Sequence, residues 1–467
     1  MDLRRRRWLV GICMHLALVV VYALRSCMSV AIVSVGADLG WSEGEKGAVL
    51  SSFFWGYVLA MPFAPRVIGL LGSTVSLALA VCGASLATAL TPLALGSLPA
   101  SCTLRAMTGI MEAAAYPAIY GLLETWSPDL FDHCSTKNRF TALVLGGDSV
   151  GTVTGFVFSG AATGNNNVAF FAVASLGLMW LLPWSLIGAE RPPPMDEVLL
   201  PSFKGETPVV SSNFCVKEEE AQKRSLPLRE VLRCPNLALH SLMVQHFTAC
   251  MFSYTLLTEL PSFLGDRYAI AMEDVALSLI PVYVCYAIGQ QAGGALVDYA
   301  LNVYGSRLST ARLCVAWVSF AGSGALLVAV GFFSHAPLRG AILGLGLATC
   351  ALGLSVGGGW APNFVDLFPS RASDFYAASN FIANFAGILA PLLTSSLVQD
   401  NSPTTWLRPF AVVAIFNLFA VSLWSFTIST EPLLSSPASL LKVAESRGKN
   451  NNRTYNNGTF LVLSQEE

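Results

Sequence analysis

The stretch LVGICMHLALVVVYALRSCMSVAIVSV, Leu9 to Val35, holds one formally charged residue, Arg25. About 20 apolar residues rising 1.5 Å each cross the roughly 30 Å hydrocarbon core of a bilayer, so this stretch reads as a transmembrane helix. A cation at that depth costs roughly 3 kcal/mol on insertion scales and more in simulations, so it needs a partner. In a chain that crosses a membrane repeatedly, the candidates are a buried carboxylate or a passing anion.

The rest of the chain fits that reading. Of its 467 residues 54% are hydrophobic and 12% charged, far from the balance of a soluble domain. A formal net charge of −2 gives no basis for a nucleic-acid partner. The 11 cysteines are scattered, with no CxxC pair and no Cys/His ligand spacing, and read as small core residues rather than a metal site. The run Met1 to Arg7 leads straight into the first span, so no cleavable targeting segment is expected ahead of it.

Working outward, apolar segments long enough to cross recur about twelve times. The first six run near Leu9 to Val35, Ala48 to Leu71, Val75 to Leu95, Leu98 to Leu123, Phe140 to Ala162 and Val168 to Ile187. The second six run near Leu237 to Leu264, Val275 to Leu301, Leu313 to Phe333, Leu338 to Pro362, Ala372 to Val398 and Trp406 to Ile428. Residues 190–235 include Pro192-Pro193-Pro194 and Lys217-Glu218-Glu219-Glu220 without apolar periodicity, and read as a solvated linker. The tail, residues 429–467, reads as disordered. The expected organisation is thus an all-α integral membrane protein with two pseudo-symmetric six-helix halves, residues 1–189 and 236–428. Basic residues such as Arg4 to Arg7, Arg66, Lys137, Arg139, Arg312 and Arg371 fall on one side, which places both termini and the linker in the cytoplasm.

An offset of about 230 residues relates features of the two sets, the signature of transporters built from related halves. Helix two ends near Ala64-Pro65-Arg66 with Gly69 and Gly72 following, and helix eight near Gly293-Gly294 and Asp298 with Gly305 and Arg307 following. Asp298 with Arg307 or Arg312 is expected either to latch neighbouring helix ends in one conformation or to be a simple solvated turn.

Several polar residues lie inside the spans. Arg25 offers planar, bidentate recognition of carboxylate or phosphate, or else ties two helices through a salt bridge. Glu112, in the fourth span, is either a proton-coupling carboxylate or a permanent partner of Arg25 or Arg105. Arg105, Glu112, Tyr116 and Tyr120 are spaced to share one helix face, a wall of a translocation path, with Arg105 alternatively an anchor at the outer end. Tyr57, Tyr116, Tyr254, Asn363 and Asn380 are candidates to hydrogen-bond substrate, since polar groups at membrane depth must be satisfied. Glu259 reads as a gate near the outer mouth or a solvent-facing cap. Gly147, Gly151 and Gly155 recur every four residues and allow close helix packing.

Tyr22-Ala23-Leu24-Arg25, Met28-Ser29-Val30-Ala31 and Ser51 to Tyr57 resemble the first two helices of the anion/phosphate transporter branch of the major facilitator superfamily. Arg105, Gly109, Glu112, Pro117, Trp126 and Pro128 continue the resemblance, as do Gly147, Gly151-Thr152-Val153, His246-Phe247, Tyr254 to Thr258, Asn363, Asp366 and Asn380. It covers nearly the whole chain apart from linker and tail. That branch contains sodium/phosphate cotransporters, plant phosphate transporters, sialin and vesicular glutamate and nucleotide transporters. The resemblance implies alternating access, an anion held at Arg25, and a proton-linked role for His246 beside Glu112, where the residue alone would read as packing. Ala249 stands where the vesicular glutamate transporters carry an arginine, which argues against glutamate as main substrate. Asn363-Phe364 replaces the branch's Asn-His pair.

The expected function is secondary active transport of small organic or inorganic anions, driven by H+; the alternatives are Na+- or potential-driven uptake of phosphate or another anion, or a nucleotide-type vesicular carrier. No cofactor, metal or enzymatic role is expected, since His133, His240 and His335 lack an Asp at catalytic spacing. A transporter-fold sensor or scaffold is the reading from another class. The expected partners are the anion and the lipid bilayer, with a functional monomer in the plasma membrane or an endolysosomal or vesicular membrane.

Overall fold

A computed structural model describes residues 3–127, 137–161, 166–190, 226, 228–268, 272–333, 335–369, 371–398 and 405–432. Most of the linker and the tail beyond residue 432 lie outside the described residues, so the expectations for them are not addressed.

The described chain is helical throughout. The first six crossings are α1 (Leu3–Leu39); α2 (Glu43–Ala60) continuing through a tight turn into α3 (Ala64–Leu71); α4 (Ser73–Ala94); α5 (Leu98–Glu112) with α6 (Ala115–Trp126); α7 (Lys137–Leu145) with α8 (Gly147–Ala161); and α9 (Asn166–Ile187). A short α10 (Leu228–Leu232) precedes the last six: α11 (Leu237–Tyr268); α12 (Met272–Tyr304); α13 (Leu308–Phe332); α14 (Leu338–Gly358) with α15 (Trp360–Leu367); α16 (Ala372–Ala383) with α17 (Ala386–Leu397); and α18 (Leu407–Thr427). Among the described residues, nine helical stretches have the length and apolarity of a bilayer crossing. The crossings outside that set are α5–α6, α11 and α12. They carry Arg105, Glu112, Gln245, His246, Gln290 and Asp298, all buried inside the bundle.

The outer surface is apolar, as lipid contact requires: Leu70, Leu93, Leu186 and Phe426 are each more than three-quarters exposed. Local rules are visible at the helix ends. Ser42 and Glu45 form a reciprocal capping box that starts α2. Gly72 and Gly305 adopt positive φ (78° and 61°) after α3 and α12, at corresponding places in the two sets. Gly147, Gly151 and Gly155 pack as expected: a Cβ at these positions would collide with His15, Val19 and Ser26 of α1.

Five crossings expected as continuous helices are interrupted: at Met61–Phe63, after Glu112, at Gly146, at Gly359, and at Asn384–Phe385. Breaks at such depth are tolerated where the backbone faces protein or a cavity rather than lipid. Helix eight also runs past Gly293 and Gly294 to Tyr304, because these glycines let α14 and α7 approach: a Cβ on Gly293 would meet the Leu354 carbonyl and one on Gly294 the Asn138 carbonyl.

At the linker end of the bundle, Glu190 accepts from the backbone N–H groups of Ser73 and Thr74, capping α4 at 2.8 Å each. At the other end of the linker, the Leu226 N–H donates to Asp374. A buried polar network joins the first and last six crossings at this same end. Lys137 Nζ pairs with Asp366 at 2.8 Å, and Arg312 with the other Asp366 oxygen at 2.5 Å. Arg312 also donates to Gly358 O and to Asn138 Oδ1. Asn138 Nδ2 in turn donates to Asp298 at 2.8 Å, and Arg139 lies 3.7 Å from the same carboxylate.

This corrects the expected latch. Asp298 engages Asn138 and Arg139 across the bundle rather than Arg307 or Arg312; Arg307 is exposed at the start of α13, and Arg312 is committed to Asp366. The guanidinium of Arg312 is fully buried, so removing its carboxylate strands a charge. Asp366→Asn is expected to destabilise the protein by about 3–5 kcal/mol, read as a lower unfolding temperature in a thermal scan of detergent-purified protein; an unchanged midpoint would show that the pair is dispensable.

Candidate functional site

The centre of the bundle holds a cavity, part of it continuous with solvent. Seven of the residues expected at a site line it: Arg25, Tyr57, Tyr116, Tyr120, His246, Tyr254 and Asn380. They come from α1, α2, α6, α11 and α16, so only the assembled bundle creates the site.

Arg25 is 6% exposed and Glu112 fully buried. Both Nε and Nη2 of Arg25 donate to Oε2 of Glu112, at 3.3 and 3.0 Å. The guanidinium also lies 4.6 Å from the ring centroids of Tyr22 and Phe53 and 5.3 Å from that of Tyr57. Glu112 itself does not line the cavity, so the pair has an inside member and a hidden one. The other oxygen, Oε1, is buried without a hydrogen-bond partner, as is Nε of Arg105. Half of the carboxylate is therefore uncommitted. Glu112 is the last residue of α5, at the break before α6.

Arg105 is buried behind this pair, 5.1 Å from the Phe53 ring, and does not line the cavity. The expected continuous stripe is corrected: the break between α5 and α6 leaves Tyr116 and Tyr120 on the cavity wall and Arg105 with Glu112 behind it. Nor is Arg105 an outer-end anchor, since it is only 4% exposed. Asn363 is fully buried in the short α15 and points away from the cavity lining, its amide atoms unpartnered. Glu259 sits far along α11 and, like Asp298 and Arg307, is not among the lining residues.

The tyrosines and Asn380 tie the two sets of helices together. Asn380 Nδ2 donates to Tyr57 OH at 2.8 Å, Tyr254 OH donates to Asn384 Oδ1 at 2.8 Å, and Phe54 meets Tyr254 edge-on at 5.1 Å. Tyr120 stacks on Tyr376 at 3.7 Å. His246 is stacked between Trp360 (4.4 Å) and Tyr376 (5.1 Å), and its Nδ1 lies 2.9 Å from Ser379 Oγ. Among the described residues, no carboxylate bonds to it.

Sequence reasoning missed Asp148, Trp360 and Tyr376, all buried on the cavity wall, and Gln290, buried behind Asp148 and bonded to it. Asp148 could have been found by the rule applied to Arg25, as the single charged residue between Phe140 and Ala162. The aromatic residues carry no such signal, because they look like any membrane-helix residue until packed.

A Major Facilitator Superfamily family model matches residues 14–391. The chain belongs to that superfamily. Relatives named as phosphate and anion transporters match most of its length. The sodium-dependent phosphate transport protein 1, chloroplastic, of Arabidopsis thaliana is 28% identical over 434 residues, spanning 92% of this chain and 80% of that protein. Sialin of Homo sapiens is 26% identical over 401 residues, spanning 82% and 75%. The ascorbate transporter, chloroplastic, of Arabidopsis thaliana is 26% identical over 440 residues, spanning 92% and 76%. Among solved structures, the proton:xylose symporter XylE superposes with a TM-score of 0.69 at 15% identity, over 94% of this chain and all of that one. At that identity the likeness is one of fold.

For this superfamily member, the buried pair gives a direct stability test. Arg25→Met leaves Glu112 buried without its partner and is expected to cost about 3–5 kcal/mol, whereas Arg25→Met with Glu112→Met recovers most of the loss. Thermal unfolding of the two single variants and the double variant closes the cycle; additive losses would mean that the two side chains do not interact.

Proposed function

We propose that this chain is a proton-coupled secondary carrier of small anions that works by alternating access. The observation that carries the reading is the Arg25–Glu112 pair, with the cation on the cavity wall and the carboxylate behind it. While Glu112 is ionised, it competes with substrate for the guanidinium. A proton on Glu112 removes that competition, and Arg25 can then hold a carboxylate or phosphate with its planar donors. Loss of the proton restores the pair and expels the anion. The uncommitted Oε1 is where such a proton can sit without displacing a hydrogen bond.

The same interactions connect anion binding to movement. Arg25 lies on the Tyr57 ring, and Tyr57 accepts a hydrogen bond from Asn380, so a shift of the guanidinium loosens or tightens a contact between residues 1–189 and 236–428. These two segments are the halves that rock about the cavity. The linker-end network around Asp366 and Asp298 is one gate, and Phe54 with Tyr254 belongs to the other. His246 holds the aromatic wall in register, and both termini and the linker face the cytoplasm.

The charge logic fixes the sign of the pH effect. Acidity on the substrate side loads Glu112 and drives accumulation; equal pH on both sides gives none. In proteoliposomes with an inward proton gradient, Glu112→Gln is expected to bind the best substrate of an anion panel yet to lose pH-driven accumulation. Accumulation equal to wild type would refute the coupling role. Arg25→Ala is expected to lower uptake about tenfold or more, and uptake intact in that variant would refute the anion-binding role. Imposing sodium and proton gradients separately distinguishes the driving ion.

A further inference from the structure

Across the cavity wall from Arg25 stands a second ionisable group, Asp148, 8% exposed at the start of α8. Tyr116 OH donates to its Oδ2 at 3.2 Å, Gln290 Nε2 to Oδ1 at 2.8 Å, and its neighbour's backbone, Ser149 N–H, to Oδ1 at 2.5 Å. The Ser149 hydroxyl, 3.2 Å from the same oxygen, has one proton and can give it either to Asp148 or to Gln290 Oε1. The tyrosine hydroxyl, the amide and the backbone N–H present donors, the complement of an acceptor-only, ionised carboxylate. All are neutral. Among the described residues, no lysine, arginine or histidine forms an ion pair with Asp148. A carboxylate in such surroundings without an opposite charge is costly, and a bound cation relieves that cost.

We infer that Asp148 binds the cationic group of the substrate, so that the transported molecule is an anion that also carries an ammonium group. This inference rests on the reading of the chain as an anion carrier with Arg25 as its anion site. A chain of contacts runs between the two charges. Arg25 lies 4.6 Å from the Tyr22 ring, Tyr22 OH is 3.2 Å from Tyr116 OH, and Tyr116 OH reaches Asp148. Two tyrosines thus keep the guanidinium and the carboxylate apart while both face one cavity. A ligand with both signs satisfies them together and brings less net charge into a poorly solvated space.

The surroundings favour an ammonium group over an alkali ion. A metal ion needs several oxygen lone pairs directed at it, whereas Gln290 and Tyr116 turn hydrogens toward Asp148. Tyrosine rings at the cavity, Tyr22, Tyr116, Tyr283 and Tyr286, offer the faces that attract alkylammonium groups. The Tyr283 hydroxyl is buried with no hydrogen-bond partner and is a ready acceptor for an ammonium N–H.

The test is proteoliposome uptake of matched pairs that differ by the amine: L-glutamate against glutarate, phosphoethanolamine against ethyl phosphate, and glucosamine 6-phosphate against glucose 6-phosphate, with inorganic phosphate alongside. Wild type is expected to favour the amine-bearing member of at least one pair by about tenfold, and Asp148→Asn to bring that ratio close to one. Asp148→Glu is expected to keep part of the preference, and a monodisperse chromatographic peak for each variant separates this result from misfolding. No preference for the amine in any pair would overturn the inference, as would an unchanged ratio in Asp148→Asn. Uptake of simple anions without preference leaves the anion-carrier reading standing. Failure to move any anion of the panel overturns both.

Discussion

A buried charge in an apolar bundle must be matched, and the architecture around Arg25 follows from that requirement. Glu112 supplies the match at 3.0 Å, and three aromatic rings from α1 and α2 complete the surroundings of the guanidinium. The glycines of α8 bring that helix against α1, and the break after Glu112 ends α5 where its carboxylate reaches Arg25. A pair of this kind contributes little net stability compared with an apolar replacement, yet losing one member is expensive. That asymmetry suits a carrier: the pair has little cost to exchange as long as another anion, or a proton, takes the vacated place.

The same physics recurs at the linker end with a different outcome. Arg312, Asp366 and Lys137 form a fully packed cluster away from the cavity, and Asn138 and Asp298 extend it across the bundle. These charges satisfy one another directly and do not face the central space. Arg25 and Asp148 do face it, and tyrosine hydroxyls keep them apart. The two clusters differ in whether opposite charges meet each other or are held apart beside a cavity; in the proposed carrier the first acts as a gate and the second as a binding site.

Much of this was legible in the sequence. The twelve helical segments follow from apolar run lengths, and Arg25 and Glu112 stand out because charge inside such runs is rare. The glycine spacing of α8 correctly foretold close packing. What the sequence hid were the breaks at Gly146, Gly359 and Asn384, since interrupted helices keep the same apolar average as continuous ones. Partner choice was hidden as well. Proximity in sequence pointed from Asp298 to Arg307, while the fold brings Asn138 from 160 positions away. Asn363 looked like a binding residue by its type, but its helix turns after Gly359 and buries it outside the cavity.

The central claim is that substrate and Glu112 compete for Arg25, with a proton deciding between them. Reciprocal linkage then requires that anion binding draw a proton onto the protein. Calorimetric titration of the purified protein with the best anion of the uptake panel, repeated in buffers of different ionisation enthalpy, measures that proton directly. The account predicts uptake of about one proton per anion bound by wild type and none by Glu112→Gln. Tight anion binding by wild type with no proton uptake across the working pH range would contradict it.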